Sequence, residues 1–121
     1  MADSRSPLIA AGALNAAIAV AAGAFAAHGL RERLETHALE VFETGARYHM
    51  YHALAMILAA LVATSGARTA GWIFQGGIVL FSGSLYALAL TEVKWLGAIT
   101  PIGGLAFLAG WAALAWSALR R

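Results

Sequence analysis

Residues 7–27 constrain this chain most: they hold no charged side chain and one strongly polar one, Asn15. The hydrocarbon core of a bilayer is spanned by about 20 mostly apolar residues in a helix. Three further stretches, 48–64, 70–90 and 96–119, have the same character. Together the four runs occupy most of a 121-residue chain that is 61% hydrophobic and 12% charged. A soluble domain carries about twice that charged share. Too few ionisable groups remain to cover a water-facing surface, so the expected solvent and first partner is a lipid bilayer. The short connections "SGAR" and "TEVKW" force neighbouring helices to run antiparallel. The expected fold is a single domain over 1–121, all-α, an integral membrane up-down four-helix bundle.

Residues 30–47 differ in kind. Leu30, Leu34, Ala38, Val41 and Phe42 fall on one helical face, while Arg31, Glu32, Glu35, Glu40, Glu43 and Arg47 occupy the rest. Two i,i+4 ion pairs, Arg31–Glu35 and Glu43–Arg47, support a helix modestly. One apolar stripe under a dense charged face predicts an interfacial amphipathic helix between helices 1 and 2.

Aromatic placement agrees with this layout. Trp72 and Trp116 fall at the face that carries the N-terminus, and Tyr48, Tyr51, Tyr86 and Trp95 at the other, as interfacial belts require. Lys and Arg divide four against four between the two faces, and five of the six acids lie on the second. That tips the expected orientation slightly toward cytoplasmic termini.

Helices in lipid associate through close-packed small residues and inter-helix hydrogen bonds. Asn15, Ala19, Gly23 and Ala27 recur at i+4 steps, and Gly103 and Gly110 lie one heptad apart. Gln75, Ser82 and Tyr86 form a polar stripe on run three, read as inter-helix hydrogen bonding with a substrate path as the alternative. Thr100-Pro101 interrupts run four, because proline removes a backbone bond. Either the helix kinks there or residues 96–100 are a lead-in turn.

Chemistry-bearing motifs are few. The chain has no cysteine, which excludes disulfides, thiolate metal sites and a Cys nucleophile. No P-loop or dinucleotide fingerprint occurs, and "SGS" at 82–84 lacks the surroundings of a nucleophile elbow. Lys and Arg cluster only at 31/33 and 120/121, so no nucleic-acid partner is expected. No catalytic residue is assigned. The remaining candidates are histidines. His28 ends run one before Gly29, which reads as a helix stop, while His49 and His52 open run two. An up-down bundle brings all three to one membrane face. There they form a polar cluster with Tyr48 and Tyr86, a collar that orients run two. Alternatively His28, His49 and His52 hold a metal or haem, or hydrogen-bond a quinone-like lipid. No cofactor is the first expectation. His37 reads as solvated.

The blocks "GAFAAHGL" (23–30), "RYHMYHALAM" (47–56), "LFSGSLYALAL" (80–90) and "LGAITPIGGLAFLAGW" (96–111) resemble the YgdD-like family of small multi-pass bacterial membrane proteins, a domain of unknown function. His28 matches the first block; Tyr48, Tyr51 and His52 the second; Ser82, Gly83, Ser84 and Tyr86 the third; Pro101, Gly103 and Gly104 the fourth. The resemblance implies four helices in the bacterial inner membrane and no established activity. His49 stands where that family usually has glutamine, which weighs against a mechanism needing both His49 and His52. The expected role is a non-enzymatic scaffold or accessory subunit with a protein partner or a second copy of itself. The alternatives are a metal-, haem- or quinone/lipid-binding module and a small permeation pathway.

Overall fold

A computed structural model describes residues 5–120, and all regular structure among them is helical. α1 covers Ser6–Phe25, α2 Thr36–Val62, α3 Ser65–Thr91 and α4 Thr100–Leu119, with a π-helical turn at Ala26–Leu30 and a 3-10 turn at Lys94–Ala98. Pro7 and Pro101 each sit in a first helical turn, where the missing N–H is lost to no intrahelical bond. The second of these settles the open question at residues 96–100: Lys94–Ala98 is a lead-in turn, and the fourth helix starts at Thr100.

Two expectations about the first connection change. Run one does not stop at Gly29, since no glycine adopts positive φ among the described residues. The helix instead widens into a π turn, with the Phe25 ring lying where a Gly29 Cβ would be, 2.8 Å from that position. The separate interfacial helix over 30–47 is also replaced. From Thr36 its residues belong to one 27-residue helix that runs on to Val62. The cause is phase: the buried positions Phe42, Gly45, Ala46, His49, His52, Ala53, Met56, Ala59 and Ala60 continue at steps of three and four without a break. An apolar stripe that never shifts gives the chain no reason to bend. The interfacial stripe and the inward face of run two are one surface.

Three helices are long and apolar enough to cross a membrane: Ser6–Leu30, Ser65–Thr91 and Lys94–Leu119. Residues 45–62 of α2 carry a single charge, but Arg47, Tyr48, His49, Tyr51 and His52 make that stretch less apolar than the three.

α2 and α3 both end on a left-handed residue, Ala63 at φ 65° and Glu92 at φ 59°. Thr64 then caps α3 by accepting from the Ala67 amide at 3.0 Å. A side chain is disfavoured in this region, and glycine is the usual occupant after a helix. Ala63→Gly is expected to stabilise the protein by about 0.5–1 kcal/mol, read as a shifted midpoint in thermal or SDS unfolding of the detergent-solubilised protein.

Consecutive helices are antiparallel neighbours. Gly12 of α1 meets Ala53 and Ile57 of α2, Gly45 of α2 meets Leu85 and Tyr86 of α3, and Gly77 of α3 meets Phe107 of α4. The arrangement departs from a closed four-helix bundle: among the described residues no Cα of α1 comes within 8 Å of a Cα of α4. The helices form an open row in which only α2 and α3 have a partner on each side. The main core lies in the half of the row near the α2–α3 turn and joins Leu8, Met56, Ala59, Ala60, Phe74, Ile78 and Phe107. A smaller cluster of Ala26, Leu30, Phe42 and Ala89 closes the other end, where the Phe42 ring packs against Phe25 and Tyr86.

Candidate functional site: a buried histidine network

His49 projects from the inward stripe of α2 and is 4% exposed. Its Nε2 lies 2.9 Å from the Asn15 Oδ1 and its Nδ1 lies 2.9 Å from the Tyr86 hydroxyl. The Asn15 amide nitrogen donates to the Gln75 Oε1 and to the Ala11 carbonyl, both at 2.8 Å. An amide oxygen only accepts, so the proton of His49 sits on Nε2, and Nδ1 accepts from the Tyr86 O–H. The bonds therefore run in one sense, from Tyr86 through His49 and Asn15 to Gln75. Gln75 and Tyr86 are both on α3, separated by three turns or about 16 Å at helical rise. One network thus ties α1 at Asn15 and α2 at His49 to two points of α3 that are three turns apart. It also moves His49 away from the membrane-face collar, since its partner Asn15 is at the middle of α1.

His52, one turn further, serves the other side of the row. Its Nδ1 is 2.8 Å from the Tyr48 carbonyl, and its Nε2 accepts from the Trp111 indole at 3.1 Å. A carbonyl only accepts and an indole only donates, which fixes His52 as neutral with its proton on Nδ1. Its ring lies on Phe107 at 3.5 Å between centroids and 5° from parallel. Nitrogen-15 NMR of the imidazoles is expected to show opposite tautomers, Nε2–H at His49 and Nδ1–H at His52. The same tautomer at both sites would refute this assignment.

Smaller ties complete the set. Ser82 donates to the Gly45 carbonyl at 2.7 Å, Ser84 and Thr100 share a bond of 2.6 Å, and the Thr64 and Ser117 hydroxyls are bonded to each other. No buried side-chain polar atom lacks a partner among the described residues. Each helix–helix interface of the row therefore holds at least one polar tie.

The three histidines do not converge. His28 is exposed on the π turn, and no three His, Asp or Glu side chains are grouped to hold a metal among the described residues. Tyr48 is half-exposed and stays outside the His49 network, touching His52 and Phe81 by ring contact. Phe107 and Trp111 join the site through the tertiary structure. The available signal was the position of Trp111, a tryptophan inside an apolar run and away from either belt. A groove of about 450 Å³ lies between α2 and α4 beside the His52 contacts. Tyr48, Tyr51, His52, Phe107 and Trp111 wall it, and Phe81 of α3 forms its floor.

Fold and site together define a small helical membrane protein whose buried polar groups hold its helices to one another. The chain belongs to the family described as "Protein of unknown function (DUF423)", whose profile matches residues 22–104. It is 47% identical over 114 residues to a membrane protein of Bacillus subtilis, YwdK, covering 90% of this chain and 93% of the relative. A membrane protein of Staphylococcus aureus, SAB0533, is 48% identical over 103 residues, 83% of this chain and 84% of the relative. One from Staphylococcus epidermidis is 47% identical over 112 residues, 90% and 92% of the two chains. All three share the designation UPF0382 membrane protein. No solved structure matches. The protein is thus a membrane protein of an uncharacterised family.

Proposed function

We propose that this protein is a non-enzymatic scaffold or accessory subunit of the bacterial inner membrane, of the YgdD-like kind, that crosses the bilayer four times with both termini in the cytoplasm. The second half of α2 makes the fourth crossing: it lies between α1 and α3, and Leu54, Leu58 and Leu61 point outward from it. One observation carries the role. The row is open, leaving the outer faces of α1 (Leu14, Ile18, Val20) and α4 (Leu105, Leu108, Trp116) exposed among the described residues. The engaged state of Asn15, His49, His52, Gln75, Ser82 and Tyr86 favours this reading over a permeation path, which needs polar groups free to face water. The test is native co-purification in mild detergent with cross-linkers placed on α1 and α4. Recovery of a distinct membrane protein supports the role, and recovery of the bare chain alone overturns it.

A second reading rests on the groove beside His52. Its aromatic walls suit the ring of a lipid-borne quinone, with the Tyr48 and Tyr51 hydroxyls as hydrogen-bond donors. A short-tailed quinone is then expected to quench Trp111 saturably. Unsaturable quenching, or quenching unaffected by Gly104→Leu across the groove, would remove this reading.

A further inference from the structure

We infer a binding site for a zwitterionic phospholipid headgroup, one that carries a primary ammonium beside its phosphodiester, where the start of α2 meets the end of α3. Two adjoining clefts open there. One, of about 330 Å³, is lined by His37, Ala38, Val41, Leu88, Glu92 and Lys94. The other, of about 240 Å³, includes Arg33, Glu35, Leu90 and again Glu92. Ala38 and Ala89 line both.

The larger cleft is divided by chemistry. Val41 and Ala38 of α2 with Leu88 and Ala89 of α3 make an apolar wall. Glu92, Lys94 and His37 make a polar rim one turn further out. Trp95, 66% exposed, stands beside this rim, at the depth where bilayers place tryptophan. A molecule entering here has an apolar stem below and a charged head above.

The charge pattern selects the head. Glu92 has a base on either side, Lys94 in one cleft and Arg33 in the other. No ion pair joins it to either, and Lys94 has no acid partner among the described residues. The left-handed backbone at Glu92 ends α3 there and turns the chain so that residues 92 and 94 rim the same cleft. A carboxylate takes N–H bonds from a primary ammonium that a trimethylated one does not offer, while Lys94 and Arg33 suit the phosphodiester. A headgroup with phosphate and no ammonium leaves Glu92 facing like charge. This site is distinct from the His52 groove, and it stands or falls independently of the scaffold role.

The test purifies the full chain from nanodiscs of mixed phosphatidylethanolamine, phosphatidylcholine and phosphatidylglycerol, and counts retained lipids by native mass spectrometry. Phosphatidylethanolamine is expected to be enriched about tenfold over its bulk share, the size of one charge-assisted contact pair. Glu92→Gln with Lys94→Gln leaves net charge unchanged and is expected to abolish the enrichment. Glu40→Gln with Arg47→Gln, the same change on exposed residues outside both clefts, is expected to retain it. Retained lipid that mirrors the bulk mixture overturns the site, as does enrichment surviving the first pair or lost with the second. Free phosphoethanolamine displacing the lipid at equal concentration overturns the assignment to a lipid.

Discussion

Gly103→Ala is expected to cost about 3 kcal/mol, at the upper end of what overpacking does, and to spoil monodispersity in detergent. A Cβ at this position meets the Phe81 amide nitrogen and lies 2.7 Å from the Phe81 Cα. Those are backbone atoms of α3, so no side-chain rotation relieves the clash; α3 and α4 must move apart. Separation also strips Phe107 from His52 and the Trp111 indole from its acceptor, which are the ties between α2 and α4. The control lies next door. A Cβ at Gly104 comes no closer than 3.9 Å to Phe81 Cδ2, and one at Gly76 or Gly83 meets nothing within 4 Å. Gly104→Ala and Gly83→Ala are therefore expected to be neutral or slightly stabilising, since glycine is a poor helix former. SDS-unfolding midpoints of the three variants check this ordering. Equal midpoints for Gly103→Ala and Gly104→Ala would show that the α3–α4 approach is looser than described.

The second large effect concerns His49. His49→Leu removes one ring yet leaves two partners, the Asn15 oxygen and the Tyr86 hydroxyl, without their bonds. Each buried orphan costs about 1–3 kcal/mol, and lipid offers no replacement. A loss of about 2–3 kcal/mol is expected, together with weaker protection of α1, which like α4 has a single large neighbour. Tyr86→Phe breaks one of the same bonds, so the double variant His49→Leu/Tyr86→Phe is expected to lose less than the sum of the two. The shortfall, about 1 kcal/mol, is the coupling of contacting residues. Strict additivity would mean that the bond between the two contributes nothing. His49→Gln places an amide nitrogen and oxygen near the two ring positions and is expected to recover part of the loss.

Composition and periodicity settled what kind of molecule this is. Long uncharged runs admit only helices in lipid, because no other open-ended structure satisfies its backbone there. The short turns at 63–64 and 92–93 made antiparallel neighbours unavoidable. Periodicity also contained more than was read from it. The stripe through Val41 and Phe42 carries on through His49 and His52, and following it would have shown a single α2 with both histidines inward. Charge density hid this, since Glu40, Glu43 and Arg47 suggested a boundary where the buried face has none.

Other features lay beyond any one-dimensional reading. That His49 finds Asn15 while His52, three residues on, finds Trp111 depends on which helix lies to each side of α2. The distance between the α1 and α4 backbones among the described residues depends on the angles at which three successive pairs cross. The residues themselves determined a lipid-solvated, all-helical chain, because burial of the backbone and the tally of charges are local properties. Tertiary structure alone decided which polar groups meet, because hydrogen-bond partners sit on different helices and are separated by 34 to 60 residues of sequence.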